Sequence, residues 1–369
     1  MQILRHIDRQ QYSMDFLVHT TKPGALDNQA VELGARIIPC LPCLSSGNPL
    51  RYARNFWRIL RQYGPYDCVH SHIHHSSGYI LMLAAAMGIP VRIAHSHNDT
   101  RAIDQTCSLA RRVYCSTMDL LIRRFATIGI AVSRSAAPSL FSDSWTSDAR
   151  WRLCSLGIDL QPFAMAVDSK MLRAELGIAR NSFVVGNVAR FAKQKNHRFL
   201  VDIAEHLSRM EPNVVFMLVG EGPLKPEIEA LVRERGLSAN FIFLGAREDV
   251  PRLLLGAMDC FLLTSLHEGL GLVVWEAQAA RLTCVISDLI PEEARLEATL
   301  VRRLSLNQPA EVWANELRRL RPLADNVRDA MSSLLFDCTI QASAAALTHI
   351  YDSSLCNTHA AGGAVGSRA

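Results

Sequence analysis

Residues 262–280 read LLTSLHEGLGLVVWEAQAA. A short apolar run ends at Thr264, a loop carries Glu268, Gly269, Leu270 and Gly271, and a helical pattern follows. Glycines in such a loop allow a ligand close to the backbone. The unpaired amides at the following helix start favour a phosphate or another anion. Glu276 stands eight residues after Glu268, on the helix itself. Two carboxylates around one helix start can accept hydrogen bonds from sugar hydroxyls.

A second stretch has the same strand–loop–helix form. Residues 184–200 read VVGNVARFAKQKNHRFL, with Arg190, Lys193 and Lys195 in the loop and Asn196 at the expected helix cap. Cations beyond the carboxyl end of a strand suit a diphosphate.

Moving outward, short apolar runs alternate with amphipathic ones. Strands are expected at Phe16–His19, Arg36–Pro39, Tyr66–His70, Val91–His95 and Ile128–Ser133. A second series covers Phe183–Val188, Val214–Val219, Phe241–Leu244, Cys260–Thr264 and Thr283–Ser287. Helices are expected at Asp168–Leu176, Asn196–Met210, Lys225–Arg235 and Gly271–Arg281. Continuous apolar strands alternating with helices imply parallel sheets covered on both faces. Two series imply two doubly wound domains. The break lies near Gly157–Ala166, giving domains over 1–160 and 161–335. A terminal helix is expected over 336–352, packing back on the first domain. The small polar tail 353–369 reads as disordered.

The 369 residues are 49% hydrophobic and 20% charged, a globular balance. No run of ~18 uncharged apolar residues marks a membrane span, and the opening residues lack the pattern of a secretory leader. A cytoplasmic place is expected. The ten cysteines sit largely in apolar runs and read as reduced thiols. Cys40-Leu-Pro-Cys43 precedes a loop instead of a helix, against a redox role. Residues 1–160 hold 17 Lys/Arg against 11 Asp/Glu, net +6. That basic half carries Arg51, Arg54, Arg58 and Arg61 beside Phe56, Trp57 and Leu60, with Arg111, Arg112, Arg123 and Arg124 further on. Peripheral contact with the anionic inner face of the cell membrane is expected from it. No nucleic-acid motif accompanies the charge.

These segments resemble glycosyltransferase family 4, especially its bacterial exopolysaccharide enzymes. Glu268 and Glu276 match the family's Glu-x7-Glu motif. Gly186, Arg190, Phe191 and Gln194–His197 match a second motif. Gly220–Leu224, Phe243–Gly245, Val69–His72 and His95–Asn98 agree as well. The resemblance implies a GT-B fold, two Rossmann-like doubly wound domains facing across a cleft. It implies a retaining hexosyl- or N-acetylhexosaminyltransferase that moves a sugar from a nucleotide diphosphate, first a UDP-sugar, to a saccharide or lipid-linked acceptor. Arg190 and Lys195 would hold the diphosphate and Glu276 the ribose. Glu268 would meet the sugar, and Gly186, Gly269, Leu270 and Gly271 would line the donor site. His97 would stand near the anomeric carbon, with His95 as the second choice. No Asp-x-Asp occurs, so no metal and no cofactor is expected on the donor.

Departures are visible too. Met1–Asp8 reads as the end of a helix that the family normally precedes with a strand and a Gly-Gly loop, so an upstream extension is expected. Leu156, Gly271, Arg281 and Thr283 replace usual residues. At Arg281 a positive φ would cost on the order of 1 kcal/mol. These departures motivate a rival reading, a non-catalytic subunit that binds a nucleotide sugar or a partner transferase. A nucleotide-sugar epimerase of the same general fold is another. A further rival is a zinc metallohydrolase using His70, His72 and His75.

Overall fold

The computed structural model describes residues 1–42, 48–320 and 338–363. The chain divides into two units, one formed by 1–157 with 340–369 and the other by 158–339. The boundary falls three residues before the expected one.

The first unit begins with the helix Gln2–His6, then strands β1 (Asp15–Val18) and β2 (Arg36–Pro39), paired in parallel. Strands β3 (Cys68–Ser71), β4 (Val91–Ser96), β5 (Ile128–Ala131) and β6 (Trp151–Leu153) form a separate four-stranded parallel sheet in that order. Tyr66 links the two sheets by donating its hydroxyl to Asp15 Oδ2 at 2.6 Å, the same carboxylate that Arg36 grips. Helix Pro49–Tyr63 buries Tyr52, Phe56 and Ile59. Their spacing of four and three residues puts them on one face. The terminal helix runs Ile340–Gly363, so the tail expected to be disordered from Ser353 is helical through Gly363. Its sequence is rich in alanine, and Leu347, Ile350 and Tyr351 pack on Val91, Ile93, Ile128 and Ile130.

The second unit holds a six-stranded parallel sheet. Its strands are β7 (Phe183–Val188), β8 (Val214–Val219), β9 (Phe241–Gly245), β10 (Cys260–Leu263), β11 (Thr283–Ser287) and β12 (Val301–Leu304). Their order is β12-β11-β10-β7-β8-β9. Counted from β7, that is the doubly wound order 3-2-1-4-5-6 read from the other edge. Helix His197–Met210 presents Leu200, Ile203, Ala204 and Leu207 to the core, where Trp313 from helix Ala310–Leu320 is fully buried. Asp168 caps helix Ser169–Glu175 by accepting from the amides of Lys170 and Met171. The starts of β7 and β10 are tied together by Asp259, which accepts from Val184 N at 2.7 Å and from Arg173 of helix Ser169–Glu175 at 2.6 Å.

β5 contains Gly129, over which the rings of Phe141 and Trp151 stack 4.7 Å apart and nearly parallel. A Cβ there would lie 2.3 Å from Trp151 Cε3 and 2.6 Å from Phe141 Cζ. Neither rigid ring can retreat within a packed core. Gly129→Ala is therefore expected to destabilise the first unit by about 3 kcal/mol. A urea midpoint equal to that of the parent protein would contradict this packing.

Candidate active site

In the second unit, β7 and β10 lie side by side where the strand order reverses. The chain leaves these two strands toward opposite sides of the sheet, opening a crevice beyond their carboxyl ends. The two loops singled out in the sequence begin there. They are laced together. Leu266 N donates to Gln194 O and Gln194 Nε2 to His267 O, both at 2.8 Å. The Thr264 hydroxyl donates to the carbonyls of Lys195 and Asn196. The turn after β8 closes the third side, with Phe191 N donating to Glu221 O and Leu224 N to Phe191 O. Gly220 is required there, since a Cβ would stand 2.1 Å from the carbonyl oxygen of Ala189.

Lys195 and Glu268 meet directly. Lys195 Nζ lies 2.5 Å from Glu268 Oε1, and the two side chains are 18% and 8% exposed. Ser265 donates its hydroxyl to the same oxygen at 2.6 Å. The cation and the acid expected at different parts of a donor are thus partners of one another. Arg190 is exposed and engages no carboxylate among the described residues. Gly271 takes φ +80° and starts helix Leu272–Ala279, which carries Glu276. Burial pushes the Glu276 carboxyl up to about 7. Gln278, two residues further, receives the amides of Leu296 and Glu297 and donates to the carbonyls of Val274 and Ala294.

Three expected residues have other local reasons. Gly186 is buried inside β7, where a Cβ would meet Met258 Sδ at 2.0 Å. Its missing side chain makes room for that methionine. Asn196 begins its helix at φ +51° without a side-chain capping bond. His197 is 3% exposed beneath Phe191, ring on ring at 4.3 Å, and burial lowers its pKa to about 4. The roles of Ser265, Thr264 and Gln194 were not foreseen. Two hydroxyl residues directly after an apolar strand are the signal that could have found the first two.

In the first unit, His70 lies in β3 and His95 in β4, and His72 and His97 directly follow the two strand ends. Residues two apart share one face of a sheet, and the four rings gather there. His70 Nε2 is 3.1 Å from His95 Nδ1, and His72 Nδ1 is 2.8 Å from His97 Nε2. Burial, then the neighbouring rings, hold His70 and His95 well below the ordinary histidine value. Burial lowers His97 as well and takes His72 to about 4, although part of the latter ring reaches solvent.

His75 does not join them, so the His70/His72/His75 zinc set is not assembled. The strand ends at Ser71 and His74 turns the chain with φ +54°. This carries His75 between Asp119, 2.6 Å from its Nδ1, and Asp104, 3.1 Å from its Nε2. Burial opposes protonation of His75, but the two carboxylates outweigh it and raise its pKa. Cys40 is buried, and Cys43 lies outside the described residues.

The Glu276 shift has a consequence for stability. Its folded pKa of about 7 stands above the ordinary 4.5, so the carboxyl favours folding while neutral. That contribution is complete below about pH 4.5 and is lost as pH rises to about 7. Glu276→Gln is expected to stabilise the protein at pH 8 by at most on the order of 3 kcal/mol. Thermal melts of the two proteins should converge near pH 4.5. A variant that melts no higher than the parent at pH 8 would refute the burial of this carboxyl.

Both halves of the chain match known families. Residues 1–162 match Glycosyltransferase Family 4, and residues 168–330 match Glycosyl transferases group 1. EpsF of Bacillus subtilis (strain 168), a protein classed as a glycosyltransferase, is 34% identical over 366 residues, covering 97% of this chain and 93% of EpsF. The UDP-Gal:alpha-D-GlcNAc-diphosphoundecaprenol alpha-1,3-galactosyltransferase of Escherichia coli is 28% identical over 229 residues, 61% of this chain and 58% of that one. Anabaena HepE, solved in complex with UDP and glucose, shares the fold with a TM-score of 0.72 at 18% identity, over 92% of this chain and 99% of its own. A metallohydrolase has no support in these matches. Because the likeness to EpsF runs almost from end to end and each half meets its own family, the chain belongs to the family 4 glycosyltransferases and has the GT-B fold.

Proposed function

We propose that the protein is a retaining hexosyl- or N-acetylhexosaminyltransferase. It takes a sugar from a UDP-sugar and passes it to a saccharide or lipid-linked acceptor in surface or exopolysaccharide synthesis. The observation that carries this reading is the Lys195–Glu268 pair beside Arg190 at the strand reversal. HepE with UDP and the galactosyltransferase named for UDP-Gal support the choice of base. The latter also supports a diphosphoundecaprenol-linked acceptor.

The residues divide the work as follows. Arg190 and Lys195 neutralise the diphosphate, without a donor metal. When Lys195 turns to the phosphate, Glu268 loses its cation and becomes free to accept from the sugar hydroxyls. Glu276, in its ionised form, accepts from the ribose. The amides of Leu270 and Gly271, together with Gly269, face the sugar and its phosphate, and preorganised donors of this kind stabilise a departing diphosphate. His97 serves the reacting sugar. Retention follows from attack on the same face as the leaving group, with the departing phosphate taking the acceptor proton.

The first unit is proposed to rest on anionic membrane on the cytoplasmic side. No helix among the described residues is long and apolar enough to cross a membrane. Helix Pro49–Tyr63 spends its apolar face on the core and leaves Arg51, Arg54, Arg58 and Arg61 exposed. Trp57, 48% exposed, lies under Arg61 at 4.4 Å. Attraction would therefore be chiefly electrostatic.

Glu268→Gln should lower kcat by about 100- to 1,000-fold with donor affinity largely kept. Glu276→Ala should instead weaken donor binding by about 10- to 100-fold. Turnover should persist in EDTA. Donor binding without transfer or hydrolysis would point to a non-catalytic subunit, and activity that returns only with added Mg²⁺ or Mn²⁺ would refute the metal-free donor site. Vesicle binding should require anionic lipid and fade with salt, because exposed charges are screened beyond ~10 Å at 0.1 M. Equal binding to neutral vesicles would exclude the electrostatic mode.

A further inference from the structure

The four histidines at the ends of β3 and β4 are more than a donor-site residue and its packing. We propose that His70, His72 and His95 form a zinc site in the first unit, with a water in the fourth position. Ring nitrogens of these three residues all lie within 4.8 Å of one another. Two nitrogens on a tetrahedral zinc stand about 3.3 Å apart, given Zn–N bonds of about 2.0–2.1 Å. The 3.1 Å between His70 Nε2 and His95 Nδ1 is already close to that span.

Each N···N approach also requires a lone pair on one of its two nitrogens. The cluster therefore aims at least two imidazole lone pairs inward, one toward His95 or His70 and one toward His72 or His97. A metal would take those pairs. The set is all imidazole, which suits zinc and its transition-metal neighbours and does not suit magnesium or calcium.

The surroundings have the form of a built site. His70 Nδ1 is 2.9 Å from the hydroxyl of Tyr351 on the terminal helix. With Nε2 on the metal, Nδ1–H would donate to that oxygen, the outer contact that orients a histidine ligand. His95 is 4% exposed and would bind through Nδ1, the nitrogen that faces His70. His72 is exposed and gives the ion a way in. The site makes no demand on Arg190 or Lys195, so it stands whether or not the donor reading holds.

The test uses the full chain, stripped with a chelator and then dialysed. Co²⁺ is titrated in while the d–d absorption of a tetrahedral centre is followed, and Zn²⁺ is added to displace it. One equivalent per chain is expected. His72→Asn and His95→Asn should each weaken binding by ~100-fold or more, beyond the 10- to 100-fold typical of an outer contact. His72 is exposed, so its variant should melt like the parent and report on metal alone. His75→Asn should bind as the parent does. Sub-stoichiometric binding, or binding unchanged in His72→Asn, would overturn the proposal. Loss of binding in His75→Asn would overturn it too, by moving the metal to the neighbouring His75, Asp104 and Cys115 group.

Discussion

The pairing of β7 with β10 is the constraint on which the second unit depends. Only Cys260 with Val185 and Phe261 with Gly186 are in register, yet that short ladder joins the two halves of the sheet. It sets the loops after both strands next to each other. Everything chemical then follows from adjacency. Lys195 can reach Glu268 across 73 positions of sequence because their strands are neighbours. Gly186 earns its place in the same way, since a side chain there would press Met258 and push at the ladder itself.

Much of this was legible in the sequence. Continuous apolar runs such as Val214–Val219 read as interior strands of a parallel sheet, and ten of the twelve strands among the described residues are legible in this way. The two that were missed are edge strands. β6 has three residues with two exposed, and β12 carries Arg302 and Arg303. A strand with water on one side needs no apolar run, so it leaves none to read. Motif residues were legible as types and positions. Their partners were not, because pairing across loops depends on register and on which way a turn bends. His75 shows this clearly. In one dimension it belongs with His70 and His72, and a single positive φ at His74 sends it to Asp104 and Asp119 instead.

The two units handle burial of titratable groups in opposite ways. At the histidine cluster, burial favours neutral rings, and neutral rings can stack and hydrogen-bond to each other at little electrostatic cost. At the loops after β7 and β10 and the helix that follows, the acids diverge. Glu268 keeps a cation and a hydroxyl close by, whereas burial pushes Glu276 up. One carboxylate is compensated by protein. The other is kept neutral by burial up to about pH 7.

The route of the chain has its own consequence. The unit 158–339 is continuous, and it closes on itself where Ile158 N donates to Cys338 O at 2.9 Å. The other unit is assembled from the segments on either side of it. During synthesis, the sheet face bearing Val91, Ile93, Ile128 and Ile130 emerges early, but Leu347, Ile350 and Tyr351 that cover it are made only after the whole of 158–339. The inner unit can therefore finish folding while its predecessor still exposes an apolar sheet. In a cell, that interval is when a chaperone would be needed most and when aggregation competes best.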